Sequence, residues 1–94
     1  MSKIVIVPKV GKGTDEDPIR PDLSAISEIA ELHKVLNDFR AIGKEIQNII
    51  FYTVNVKQDL GNEFEVEITI PDKLPDVPDE VKKAWEAMKK ALEE

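Results

Sequence analysis

Cysteine is absent from the 94 residues, which excludes disulfides, a thiol nucleophile and thiolate metal sites. Histidine occurs once, at His33, so a histidine-based zinc site has to draw its other protein ligands from carboxylates. Glutamine appears only at Gln47 and Gln58 while Ile, Val, Lys and Glu are abundant, a bias that fits a heat-adapted source. Long apolar runs are missing too. Ile4 to Val7 is far too short to span a bilayer, and no basic start feeds an apolar run of about 7 to 15 residues. The chain therefore reads as soluble, intracellular and cytoplasmic, with no membrane partner. Basic residues are outnumbered, 13 against 19 acidic, and the net charge of -6 works against nonspecific binding to nucleic acid or anionic membranes.

What is present suits one domain over residues 1–94: 41% of positions are hydrophobic and 34% charged. A domain of this size buries about 60 to 65% of the surface its unfolded chain exposes, so most apolar residues are needed for stability. Residues 3–7, Lys-Ile-Val-Ile-Val, are β-branched on both faces, as in a strand covered on both sides or lying centrally in a sheet, and Pro8 is expected to end or edge it. Residues 8–22 hold Gly11, Gly13, Pro18 and Pro21 without an apolar period and read as an ordered loop or arm.

Asp22 or Ser24 can cap a helix over 24–42 whose apolar stripe is Ala25, Ile29, Leu32, Leu36 and Phe39, widened by Ile26, Val35 and Ile42. Gly43 closes it. Residues 49–57 and 63–70 alternate with period two around Asp59-Leu60-Gly61 and predict a hairpin. The expected register pairs Val56 with Phe64, Val54 with Val66, Tyr52 with Ile68 and Ile50 with Ile70, and sets Lys57 against Glu63 on the other face. Pro71, Pro75 and Pro78 stiffen the link over 71–77, and Asp76 is expected to cap a helix over 78–93 with the stripe Val81, Trp85, Met88 and Leu92. The expected fold is α+β in the order β-α-β-β-α, a small, mostly antiparallel three-stranded sheet packed by two helices.

Few residues combine into chemistry. Ser2, Ser24 and Ser27 have no base beside them, and a nucleophilic triad needs one. Asp15, Glu16 and Asp17 lack the alternating ligand spacing of a calcium loop. Glu63, Glu65 and Glu67 share one strand face and read as a solvated outer surface that discourages edge pairing. His33 reads as a partly exposed helix residue, and Trp85 and Met88 at helical spacing read as core. No catalytic residue, metal or cofactor is expected.

The strand followed by Gly11-Lys12-Gly13-Thr14 resembles the end of a phosphate-binding loop, as in the adenylate kinase family. A working loop of that kind needs a glycine five residues before the Gly-Lys pair, where this chain has Ile6, and a helix directly after, where it has Asp15-Glu16-Asp17-Pro18. The longer string Gly11 to Asp22 is similar to a G-x-G-T-x-x-D-P-x-R-P segment of short uncharacterised proteins of phages, archaeal viruses and integrated elements. That resemblance implies a viral or mobile-element origin and carries no activity.

Within the segment, Thr14 and Asp15 can cap a turn and Arg20 can fork onto Asp15, Asp17 or Asp22, ordering the loop without a ligand. The candidate interaction residues are Lys9, Lys12, Thr14, Asp15, Asp17 and Arg20. Together these features predict a non-enzymatic structural or protein-interaction module that meets a protein partner through the sheet edge, the terminal helix or the Gly11–Pro21 arm, or self-associates through the Ile4–Val7 strand. The alternative is a phosphate or nucleic-acid binder using Lys3, Lys9, Lys12 and Arg20.

Overall fold

The computed structural model describes residues 1–43, 46 and 49–93. Its first strand, β1, runs Ser2–Val10, straight through Pro8. The doubly bonded pair Met1–Ile70, with N–H to O distances of 3.0 and 2.7 Å in the two directions, sets the phase of the ladder. Because antiparallel strands alternate bonded and non-bonded pairs, the odd residues of β1 turn their amides toward the neighbouring strand and the even residues turn theirs away. Proline at an even position therefore removes no bond from that ladder, and the strand is not ended by it.

The second strand, β2 (Arg20–Pro21), lies inside the segment expected to be an ordered loop or arm. It pairs antiparallel with β1, Lys9 opposite Pro21 and Val10 opposite Arg20, and the Asp22 N–H extends the contact to the Pro8 carbonyl at 2.9 Å. With β3 (Thr53–Asp59) and β4 (Glu63–Thr69) the sheet has four antiparallel strands in the order β2-β1-β4-β3, not the three expected. A two-residue strand carries too little periodicity to be read from sequence.

The hairpin is found, but its register differs by two residues: Val56 faces Val66 and Val54 faces Ile68. The ladder then shifts by one between Val56 and Gln58, so Lys57 is the extra residue of a β-bulge, and Gln58 faces Glu65 and Asp59 faces Phe64. This lets a two-residue turn, Gly61-Asn62, close the hairpin, with the Leu60 N–H donating to the Glu63 carbonyl at 2.9 Å. The expected three-residue loop assumed an unbroken ladder. Ile50 and Tyr52 consequently precede β3 rather than pairing with Ile70 and Ile68, and Lys57 reaches Glu67, at 3.7 Å, rather than Glu63.

The long helix begins later than its apolar stripe implies. Asp22 Oδ1 accepts from the Ser24 N–H at 3.1 Å and caps a 3-10 turn, Leu23–Ala25. Ile26 is extended (φ -92°, ψ 110°) and only then does α1 (Ser27–Ala41) start. Ala25 is thereby exposed, outside the stripe, and Ile42 lies past the helix end, where the Gly43 N–H bonds the Arg40 carbonyl at 3.1 Å. α2 (Asp79–Glu93) begins with the Pro78 carbonyl accepting its first bond, from the Lys82 N–H at 3.0 Å, which leaves Asp76 ahead of the first turn.

Both helices cover the face of the sheet that carries Val7, Val66 and Ile68, and these join Ile29, Leu32, Ile70, Val81, Ala84, Trp85, Met88 and Leu92 in one core. Burying each large aliphatic side chain stabilises the fold by about 1.5 to 3 kcal/mol. The Trp85 indole N–H, carried into that core, donates to the Phe51 carbonyl at 2.9 Å, so its burial leaves no orphan donor. Coverage stops short of the hairpin tip: Val56, on the helix side of the sheet, is 46% exposed.

Candidate functional site

Of the candidate residues, Lys9 lies apart from the rest. As an odd residue of β1 it projects on the helix side, beyond the helices, where Nζ bonds Asp59 Oδ1 at 2.7 Å and sits 4.6 Å from the Phe64 ring centroid. That bond, and the Gly61 N–H donated to the same oxygen at 2.9 Å, hold the Asp59 carboxyl below its ordinary value of 3.8. The sequence offered no sign of this pair, because the residues are fifty positions apart and meet only through the bulged register.

Of the other five, Lys12, Thr14, Asp15 and Asp17 stand in the loop between β1 and β2, and Arg20 opens β2. The backbone N–H groups of Lys12, Gly13 and Thr14 converge on the Asp17 carbonyl at 3.0, 3.0 and 3.3 Å. A concavity of successive amides is the shape that holds phosphate, and here the chain's own oxygen fills it. Thr14 Oγ1 accepts from the Asp17 N–H at 3.0 Å, and the Asp17 carboxylate takes the Lys12 N–H at 3.2 Å and the Arg20 guanidinium at 2.7 Å. Arg20 also donates to the Pro18 carbonyl at 2.9 Å. Gly11, at φ +112°, is where the chain passes over Pro18. The Lys12 and Asp15 side chains are exposed at the rim. Among the described residues no three His, Asp or Glu side chains are placed to hold a metal ion.

A different feature is open. Even residues of β1 turn their amides and carbonyls away from β4, and on that edge β2 engages only the strand's C-terminal end. From Ser2 to Ile6 the described residues provide no strand across that edge. The same even residues carry Ile4, 54% exposed, and Ile6, 56% exposed, on the face away from the helices, next to Glu67 and Glu65 of β4. An open row of backbone donors and acceptors and an apolar row thus coincide on one five-residue stretch. The sequence marked Ile4 to Val7 as apolar on both faces; the structure places Val7 in the core and leaves Ile4 and Ile6 outside.

His33 and Tyr52 form a further polar pair. His33 Nε2 and the Tyr52 hydroxyl are hydrogen-bonded at 2.6 Å, with the rings edge to face at 5.9 Å between centroids. Burial pushes the Tyr52 phenol above its ordinary value of 10.0. A shallow depression beside it is lined by His33, Ile49, Ile50 and Thr53. No acidic side chain is among the described residues that line it.

No helix among the described residues is long and apolar enough to cross a membrane. No protein-family model matches the chain, nor does any curated protein or solved structure.

Proposed function

We propose that the chain is a small non-enzymatic protein-interaction module whose contact surface is the open edge and outer face of β1. The observation that carries this reading is the coincidence of exposed Ile4 and Ile6 with outward-facing backbone groups over Ser2–Ile6. Strand addition draws its affinity from such main-chain groups and its specificity from alternate side chains. The phosphate or nucleic-acid reading has less support: the amides of Lys12, Gly13 and Thr14 are filled by Asp17, and Lys9 and Arg20 are paired with carboxylates. The resemblance of the Gly11–Pro21 segment to phage and archaeal-virus proteins points to a viral or mobile-element source.

The test is selection of short extended peptides from a random display library against dilute protein. Peptides that shift the backbone amides of Ile4 and Ile6 in NMR spectra, and that lose binding to Ile6→Lys with the circular dichroism unchanged, support the reading. Absence of binders, or binders that map to residues 11–20 or to α2 and ignore Ile6→Lys, overturns it.

A further inference from the structure

We infer that the occupant of the β1 edge is a second copy of this chain, paired antiparallel across a two-fold axis at Ile4. The inference rests on the interaction reading above and names its partner.

The two edges of the sheet are treated differently. At β3 the Lys57 bulge interrupts the strand and Asp59 and Lys57 bring charge to it, the devices by which edges resist pairing. At β1 the corresponding protection, Pro8 and β2, guards only the C-terminal end. Ser2 to Ile6 is left regular, β-branched and apolar except for Ser2 and Lys3.

The register follows from what borders the stretch. In an antiparallel pair the outward-facing even residues must meet even residues. With the axis at Ile4, Ser2 pairs with the partner subunit's Ile6, Ile4 with the partner subunit's Ile4, and Ile6 with the partner subunit's Ser2. Each pair exchanges two hydrogen bonds, and Lys3 falls opposite the partner subunit's Val5. Moving the axis to Val5 sets Pro8, which has no N–H and whose carbonyl is taken by Asp22, against the partner strand. Moving it to Lys3 places two lysines directly opposite each other, which is destabilising. Ile4 is the axis that fits the open length and avoids both.

On the outer face this pairing gathers four isoleucines into one patch. Glu67 of one protomer is three strand spacings from its symmetry mate, about 14 Å, beyond the screening length of about 8 Å at physiological salt. A five-residue edge is smaller than the roughly 800 Å² per partner of stable complexes, so the dimer forms reversibly with concentration.

The experiment uses light scattering on the unmodified chain and a single cysteine, which the chain otherwise lacks. The expected mass rises from one chain to two with concentration, Ile4→Lys and Ile4→Glu each hold it at one with unchanged circular dichroism, and mixing the two variants restores the two-chain mass. Residues paired at the axis lie about 5.5 Å apart at Cα, within disulfide range, so Ile4→Cys forms a linked dimer under mild oxidation while Asn55→Cys, exposed on β3, does not. A dimer that survives Ile4→Lys, or equal linking by both cysteines, overturns the inference. A one-chain mass throughout, with peptides still shifting Ile4 and Ile6, overturns self-pairing and leaves the interaction reading standing. A one-chain mass with no peptide binding overturns both.

Discussion

Gly11 carries the most demanding backbone position in the loop between β1 and β2. It sits at φ +112°, and a Cβ built there lies 2.1 Å from the Pro18 carbonyl oxygen, a backbone atom that cannot swing aside. Gly13 shares the positive φ but has only the Ile19 side chain nearby, at 3.7 Å. Gly11→Ala is therefore expected to destabilise by on the order of 3 kcal/mol, against about 1 kcal/mol for Gly13→Ala, as read from urea unfolding. Equal losses at the two positions would show that the crossing over Pro18 is not what fixes the loop. Arg20 was legible in the sequence as an internal partner, and it does bond Asp17. The amides closing on the Asp17 carbonyl were not, because main-chain convergence leaves no mark on residue type.

Among the elements, the hairpin shows where sequence periodicity loses its hold. Alternation reports which residues share a face, and it did so for Phe64, Val66 and Ile68, but the bulge at Lys57 turns only Gln58 and Asp59 to the opposite faces, and neither is an apolar residue that would mark the change. Deleting Lys57 leaves Val56 opposite Val66 and Gln58 opposite Glu65 in a regular ladder. The deletion is accordingly expected to cost no more than about 1 kcal/mol. Deleting Asn55 instead slides Lys57 onto the helix side against Val66 and turns Val56 outward, which should cost several times as much. Urea midpoints of the two deletions decide the point, and equal midpoints would argue against the bulge. The helices were read more closely, since Ile29, Leu32, Val81, Trp85, Met88 and Leu92 repeat at helical spacing and all are buried. The break at Ile26 was hidden because a 3-10 turn continues an apolar stripe without interrupting it.

For the whole molecule, two titrating groups tie stability to pH, one at the acid end and one at the alkaline end. Asp59 has a folded value below 3.8, so its contribution is present above that ordinary value and is lost as pH falls through the folded one. Tyr52 has a folded value above 10.0, so its contribution is present below 10.0 and is lost as pH rises through the folded one. Urea midpoints should thus fall at both extremes, with Lys9→Met flattening the acid limb and Tyr52→Phe the alkaline limb. An acid limb unchanged in Lys9→Met would mean that other carboxylates set it. The α+β class and the two-helix cover were visible in composition and period. The strand order was not, because pairing Ser2 with Thr69 and Pro8 with Glu63 joins segments far apart in the chain, and nothing local encodes it.

That same pairing bears on how the protein is made. β1 leaves the ribosome before the strand it pairs with, which is separated from it by the loop, α1 and β3, so its odd amides wait while those elements are synthesised. Throughout that interval both edges of an apolar strand are available to other nascent chains. The step most exposed to misassembly is therefore the delay before β4 arrives, and a mutation that slows formation of the β3–β4 hairpin is felt first as lost yield during synthesis, ahead of any change in the finished fold.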